Sequence, residues 1–366
     1  MEIKQIKINF CVTEQVKRFV YIYLIATEQG CCLIDAGVAG SEETIEEEII
    51  KSGHRPDDVR AVFLTHAHPD HIGCAHYFRE KHGAKIYASA GERPWIEDID
   101  LQYAERPIPN FYHLAGQSVR VDAVVRDQDR ICLTDDLCIE VVSTPGHSVD
   151  GVSYRIADNL FIGDAVPVKG DIPIFVDVEK TRNSLEVLEH MTGIRMFYPA
   201  WDETYTPEMM RHKLADAKAM VDMLEEAVHN EDHGTDTKAL VDLVCEKLRM
   251  PMLKANPLFA RTVECCRRKN KSCYFLVDTY IDEDSGRGRY DEYIREVKPI
   301  VESFGGEYLI RTERVISLHS GRTPQRVIAI RFPSRQALDD CFSSKEYKDI
   351  MNKRIDSVDA RALIVE

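Results

Sequence analysis

Three histidines and an aspartate crowd one short stretch, Thr65-His66-Ala67-His68-Pro69-Asp70-His71. It follows an apolar run, Ala61-Val62-Phe63-Leu64, that reads as a buried strand, and residues 72–79 read as the start of a helix. Any fold for this chain must therefore place His-x-His-x-Asp-His in a strand-to-helix loop. Imidazole nitrogens and carboxylate oxygens are the donors that suit zinc, iron or manganese. The bland alternative, a histidine-rich surface turn, does not account for two further loops downstream that carry the same kinds of donor.

The chain has 366 residues, 44% of them hydrophobic, which is enough for two or three domains with real cores. Its net charge of -15 argues against general binding to nucleic-acid backbones. The first residues, Met1-Glu2-Ile3-Lys4-Gln5, show no export pattern, and the apolar run at 19–26 is too short to span a bilayer. The expectation is a cytoplasmic protein without membrane or nucleic-acid partners, whose eleven cysteines stay reduced and mostly buried.

Up to about Trp201, short strands alternate with loops and helices, as in a layered α/β domain. Strands are expected at 6–12, 19–26, 31–35, 62–64, 85–88, 131–133, 137–143, 152–156 and 160–162, with a helix at 41–52. Thr206-Pro207-Glu208 is a helix-start signal, and helices are expected at 207–230, 236–247 and 257–269. From Ser272 the order becomes β-α-β-β-α-β, the ferredoxin-like plan, with one sheet face left open for a second copy. The expected domains are thus 1–205, a helical extension or lid at 206–271, and 272–366.

Two later loops complete the chemistry. Thr144-Pro145-Gly146-His147-Ser148 comes after the strand at 137–143, and Gly163-Asp164-Ala165 after that at 160–162. Together, His66-x-His68-x-Asp70-His71, Pro145-Gly146-His147 and Gly163-Asp164 resemble the metallo-β-lactamase superfamily over roughly the first two hundred residues. Leu33-Ile34-Asp35-Ala36-Gly37 is similar to that family's early strand and turn. The resemblance implies an αββα sandwich of two mixed sheets, with a metal site at one edge. It implies that His66, His68 and His147 hold one metal, and that Asp70, His71 and Asp164 hold a second, Asp164 bridging. Zinc, two ions per chain, is the expected cofactor; a single ion, iron or manganese are the alternatives. Asp70 is also placed to orient or shuttle the proton of a metal-activated water.

The sequence departs from the family where a last histidine is expected. The strand end reads Phe197-Tyr198-Pro199-Ala200-Trp201-Asp202, and Trp201, which has no lone pair for a metal, takes the slot. Three outcomes stay open: Asp202 ligates the second metal, the second metal is held by three residues alone, or only the three-histidine metal binds. Trp201 and Lys169 are candidate substrate contacts, Lys169 for an anionic group. Trp95, Tyr103, Phe111 and Tyr112 are set down as cleft or core. His54, His76, His82, His113 and His190 lack ligand context.

In the C-terminal part, Tyr290-x-x-Tyr293, Phe304-Gly305-Gly306, Arg331-Phe332-Pro333-Ser334 and Ser344-x-Glu346-Tyr347 resemble a family of uncharacterised dimeric α+β-barrel domains. That implies pairing of sheets between chains and no established chemistry. The expected activity is hydrolysis of an acyl substrate such as a thioester or lactone by a metal-activated hydroxide. The alternatives are a mononuclear iron, sulfur-oxidising dioxygenase of the same fold, kept open by the missing ligand, and a non-catalytic metal-containing sensor. The second loop ligand is His68, where the di-iron, oxygen-reducing branch of the superfamily has glutamate, so that branch is disfavoured.

Overall fold

The computed structural model describes residues 1–269, 272–281 and 287–365. The chain divides into two compact units, Met1–Cys265 and Cys266–Glu366.

The first unit holds two sheets. One runs β1 (Glu2–Cys11), β2 (Lys17–Thr27), β3 (Gly30–Ile34), β4 (Val59–Phe63), β5 (Lys85–Ser89) and β6 (Ala123–Val125), in that spatial order. Its first three strands pair antiparallel, and from β3 onward the pairing is parallel. The other contains β7 (Arg130–Thr134), β8 (Leu137–Ser143), β9 (Val152–Ile156), β10 (Asn159–Gly163) and β11 (Met196–Pro199), in the order β11-β10-β9-β8-β7.

Side-chain alternation assigns the faces. Tyr23, Ile25, Ile34 and Phe63 of the first sheet meet Ile139, Val141, Tyr154 and Phe161 of the second in a shared core. The opposite face of the first sheet, with Ile22, Leu24 and Leu33, packs on Ile45, Ile49 and Phe78 of its covering helices. The opposite face of the second, with Leu160 and Ile162, packs on Leu185 and Leu188 of the helix Val178–His190 and on Leu214 of the helix Pro207–Glu231. This is the four-layer αββα arrangement. The helix Val178–His190 and the three short helices Arg93–Glu97, Ile99–Glu105 and Phe111–Ala115 lie outside the helices expected from the sequence.

Two expectations for the first unit need correction. The helix expected to run on from Ile72 is broken into Pro69–Ile72 and Ala75–His82. Gly73 lies at the break, where its backbone is pressed against the turn after β3; a Cβ there would sit 2.1 Å from the Ala39 nitrogen. Cys132 and Cys138, expected as thiols, form a disulfide, because they are direct cross-strand partners on β7 and β8, a register invisible in their spacing. Cys11, Cys31, Cys32, Cys74, Cys245 and Cys341 are free thiols.

The second unit has one antiparallel sheet built from β12 (Cys273–Ile281), β13 (Glu307–Thr312), β14 (Arg326–Phe332) and β15 (Val358–Val365), in the order β13-β14-β12-β15. The helix Arg287–Ser303 joins β12 to β13. The second helix of the expected β-α-β-β-α-β order is two, Arg335–Ser343 and Lys345–Ile355, because the Ser344 side chain caps the second at the Tyr347 N–H. Cys273, Val277, Ile328, Ile330 and Phe332 point into a core with Tyr290, Tyr293 and Val297. Tyr274, Leu276, Ile310, Leu363 and Val365 are exposed.

Gly73→Ala should therefore destabilise the first unit by about 3 kcal/mol or more, since the neighbour that must yield is backbone. A urea midpoint unchanged from wild type would show that this contact carries no constraint.

Candidate metal centre

The site forms where strand ends from both sheets meet. β4 ends at Phe63, and Thr65 to His71 fold back over the turn that ends β3. The backbone stitches the two together: Ala36 N–H donates to His71 O at 2.7 Å and Gly73 N–H to Gly37 O at 2.7 Å. Asp35, at φ 61°, holds the left-handed conformation that aspartate tolerates better than most residues. This conformation turns its buried carboxylate onto the loop. It accepts the Thr65 N–H at 2.8 Å, the Thr65 hydroxyl at 2.9 Å and His71 Nδ1 at 2.8 Å. The second sheet delivers Asp164 after β10 and His147 after β8. Gly163 permits the approach, because a Cβ there would lie 2.6 Å from Thr65 Oγ1 at a φ of +48°.

His66, His68, His147 and Asp164 bring one ligand atom each within 4.8 Å of one another. His147 Nε2 lies 2.9 Å from His68 Nδ1 and 3.3 Å from Asp164 Oδ2. On the other side of Asp164, His71 Nε2 lies 3.4 Å from Oδ1 and 3.7 Å from Asp70 Oδ2. His66 Nε2, His71 Nε2, Asp70 Oδ2 and Asp164 Oδ1 are buried without a hydrogen-bond partner. Unpartnered buried polar atoms are costly, and four converging on one point are the signature of ligand atoms awaiting a cation. The distal nitrogens are already held: His147 Nδ1 by the Ile174 carbonyl at 3.0 Å and His71 Nδ1 by Asp35. Such partners fix ring orientation and leave Nε2 for a metal.

Electrostatics agree with this donor set. Burial lowers the pKa of His66 and His68 well below the ordinary value and brings His147 to about 4, so all three rings are neutral, the form that binds a cation. Burial opposes charge on His71, but Asp164, Asp35 and Asp70 outweigh it and hold its pKa high. Burial raises Asp70, whereas Asp164 is held low, against burial, by His71 and His147.

Six of the expected residues, His66, His68, Asp70, His71, His147 and Asp164, are brought together. Asp202 is engaged elsewhere. Its Oδ2 accepts from Lys213 Nζ at 2.6 Å and the Tyr205 hydroxyl at 2.7 Å, and its Oδ1 from the Glu203 N–H at 2.8 Å. Lys169 is also diverted: exposed, it pairs with Asp216 at 2.9 Å and does not line the cleft. Trp201 does line it, beside His147 and Asp164. Phe111 is core, whereas Trp95, Tyr103 and Tyr112 lie outside the cleft lining. His76 and His190 are tied to backbone carbonyls, and His82 lies between Asp57 and Glu46.

Three residues were missed by the sequence reading. Glu92 is buried and accepts the Ala67 N–H at 3.0 Å and the Asp150 N–H at 2.9 Å, fastening the two histidine loops to one carboxylate. Arg106 is buried, with burial lowering its pKa to about 10, so it keeps its charge and interacts favourably with Asp70 and Asp164. Arg18 stands in the cleft wall. A lone charged residue far along the chain carries no signal of such placement.

Residues 16–193 match the model of the metallo-beta-lactamase superfamily, and residues 273–366 match a domain of unknown function, DUF1330. The chain thus carries an N-terminal metallo-β-lactamase superfamily domain. It is 29% identical over 157 residues to a probable metallo-hydrolase of Bacillus subtilis (strain 168), covering 41% of this chain and 67% of that one. It is 26% identical over 151 residues to a probable polyketide biosynthesis zinc-dependent hydrolase of Bacillus velezensis, covering 41% and 56%. It is 26% identical over 191 residues to a hydroxyacylglutathione hydrolase of Hahella chejuensis, covering 50% and 62%. The last two matches thus span less than two thirds of the relatives' own lengths. A solved metallo-beta-lactamase family protein from Thermus thermophilus shares the fold, with a TM-score of 0.57 at 17% identity over 73% of this chain and 94% of that one.

Asp35→Asn should weaken metal binding by about 10–100-fold, since it removes the charge that orients His71. Asp202→Ala should leave the metal content unchanged. Competition with a chelating dye, with metal analysis of both variants, reads the two outcomes; a loss of metal in Asp202→Ala would return that carboxylate to the site.

Proposed function

We propose that the protein is a metal-dependent hydrolase of metallo-β-lactamase fold acting on a small acyl substrate, a thioester or lactone. The observation that carries this reading is the convergence of unpartnered, buried ligand atoms of His66, His71, Asp70 and Asp164 at a cleft lined by His147 and Asp164. Relatives named as metallo-hydrolases and hydroxyacylglutathione hydrolases support it.

His66, His68, His147 and Asp164 would hold one ion, zinc in this reading. Asp70, His71 and Asp164 would hold a second, with no help from Asp202. The bound metal supplies Lewis acidity, lowering the pKa of a water and stabilising charge on the substrate carbonyl. Asp70 takes the proton that leaves the attacking water. Glu92 and Asp35 keep the ligand loops in register through the cycle. The walls of the cleft, including Trp201, position the acyl group.

The C-terminal unit is read as a ferredoxin-like module that pairs two chains into a homodimer. The exposed apolar residues Tyr274, Leu276, Ile310, Leu363 and Val365 on its sheet support that role. No helix among the described residues is long and apolar enough to cross a membrane. We place the protein in the cytoplasm on its free thiols Cys11, Cys31, Cys32, Cys74, Cys245 and Cys341, a usage that suits a reducing compartment.

Chelation should abolish thioester hydrolysis, zinc should restore it, and His68→Ala should lower kcat/KM by about 10²–10³-fold. One iron per chain, with oxygen uptake and no hydrolysis, would replace this reading with the dioxygenase one. Leu363→Glu should shift a dimer to monomer in sedimentation velocity; an unchanged dimer would remove the sheet face from the interface.

A further inference from the structure

The cleft beside the candidate metal centre is narrow and open at its mouth, with a cavity volume of about 50 Å³. His147 and Asp164 are among its lining residues, and half of the wall is valine, isoleucine and proline. A single cation, Arg18, lies among the lining residues, contributed by β2 of the opposite sheet. Its guanidinium stacks over the Trp201 ring, 4.3 Å from the centroid, and Phe10 meets that ring edge-on with centroids 6.4 Å apart. Trp201 is the residue that stands where a last histidine was expected. In this chain the slot therefore carries a platform for a cation in place of a metal ligand.

Arg18 also donates to Asp171 Oδ1 at 2.5 Å. That oxygen already accepts the Ile172 N–H at 2.7 Å, and the contact uses one nitrogen of a planar fork with five N–H donors. Both side chains of the pair are a quarter exposed, so the fork is reachable from the cleft. A planar guanidinium fixed against an aromatic face, with donors to spare and apolar walls around it, is suited to a carboxylate.

We propose that Arg18, held by Trp201 and restrained by Asp171, is the specificity-determining residue, selecting acyl substrates that carry a carboxylate at the end of the acyl chain. This rests on the hydrolase reading for the reaction itself, but the binding of the anion does not. The carbonyl would lie beside His147 and Asp164 and the carboxylate at Arg18, which takes the part first expected of Lys169.

The test compares S-glutaryl- and S-butyryl-N-acetylcysteamine on zinc-supplemented full-length protein, following thiol release. Wild type should favour the glutaryl substrate in kcat/KM. Arg18→Gln should reduce the glutaryl/butyryl ratio by about tenfold or more, the usual effect of losing hydrogen bonds to a charged group. Arg18→Lys should recover part of it. Asp171→Asn, which frees the fork, should raise the ratio, a direction that general damage to the cleft does not produce. In parallel, glutarate is titrated against Trp201 fluorescence in a Trp95→Phe background, which leaves one tryptophan. Half-saturation should rise about tenfold in Arg18→Gln. Equal losses on both thioesters, or a glutarate titration indifferent to Arg18→Gln, would overturn the proposal. Absence of turnover on either thioester would sink the hydrolase reading while the titration still decides the role of Arg18.

Discussion

A single buried carboxylate organises the metal centre. Asp35 ends β3 in a left-handed conformation and binds Thr65 and His71 at once. Thr65 lies two residues beyond the end of β4, and His71 lies within the short helix Pro69–Ile72. One side chain thus sets both ends of the stretch that carries His66, His68 and Asp70. Its cost, an unusual backbone conformation and a buried charge, is offset by three hydrogen bonds in a low-dielectric interior. The charge has a second effect: with Asp164 and Asp70 it holds His71 in a strongly cation-favouring environment, the same environment that attracts a metal.

Glu92 does for the two sheets what Asp35 does for one loop. It takes a backbone N–H from the loop after β4 and another from the loop after β8, so loops from different sheets share one anchor. Both its oxygens have donors, which is how a buried carboxylate becomes tolerable. Arg106 adds a buried positive charge that interacts favourably with Asp70 and Asp164. The centre is therefore a balanced set of charges, in which the neutral rings of His66, His68 and His147 are the part held ready for a cation.

Local chemistry was legible along the chain. Strands rich in valine and isoleucine, the Thr206-Pro207 helix start and the short ligand loops announce themselves through neighbours in sequence. The loops could be assigned to one centre because each sits at a strand end and carries donors of matching chemistry. The breaks at Gly73 and Ser344 were less visible. The first depends on the backbone of Ala39, more than thirty residues away. The second depends on a serine choosing to cap rather than to sit within a helix.

Donor type and spacing are properties of residues and their near neighbours, so His66, His68, Asp70, His71, His147 and Asp164 could be named from the chain alone. Partner choice is not such a property. Asp202 has the right chemistry for a ligand, yet Lys213 and Tyr205 claim it, because the helix Pro207–Glu231 packs where it does. Lys169 has the right charge for an anion, yet it pairs with Asp216, and Arg18 stands in the cleft instead. Cys132 and Cys138 have an unremarkable spacing, yet strand register sets them face to face. In each case the deciding contact joins groups that only packing brings together, and a carboxylate, a cation or a thiol acts according to the partner it meets.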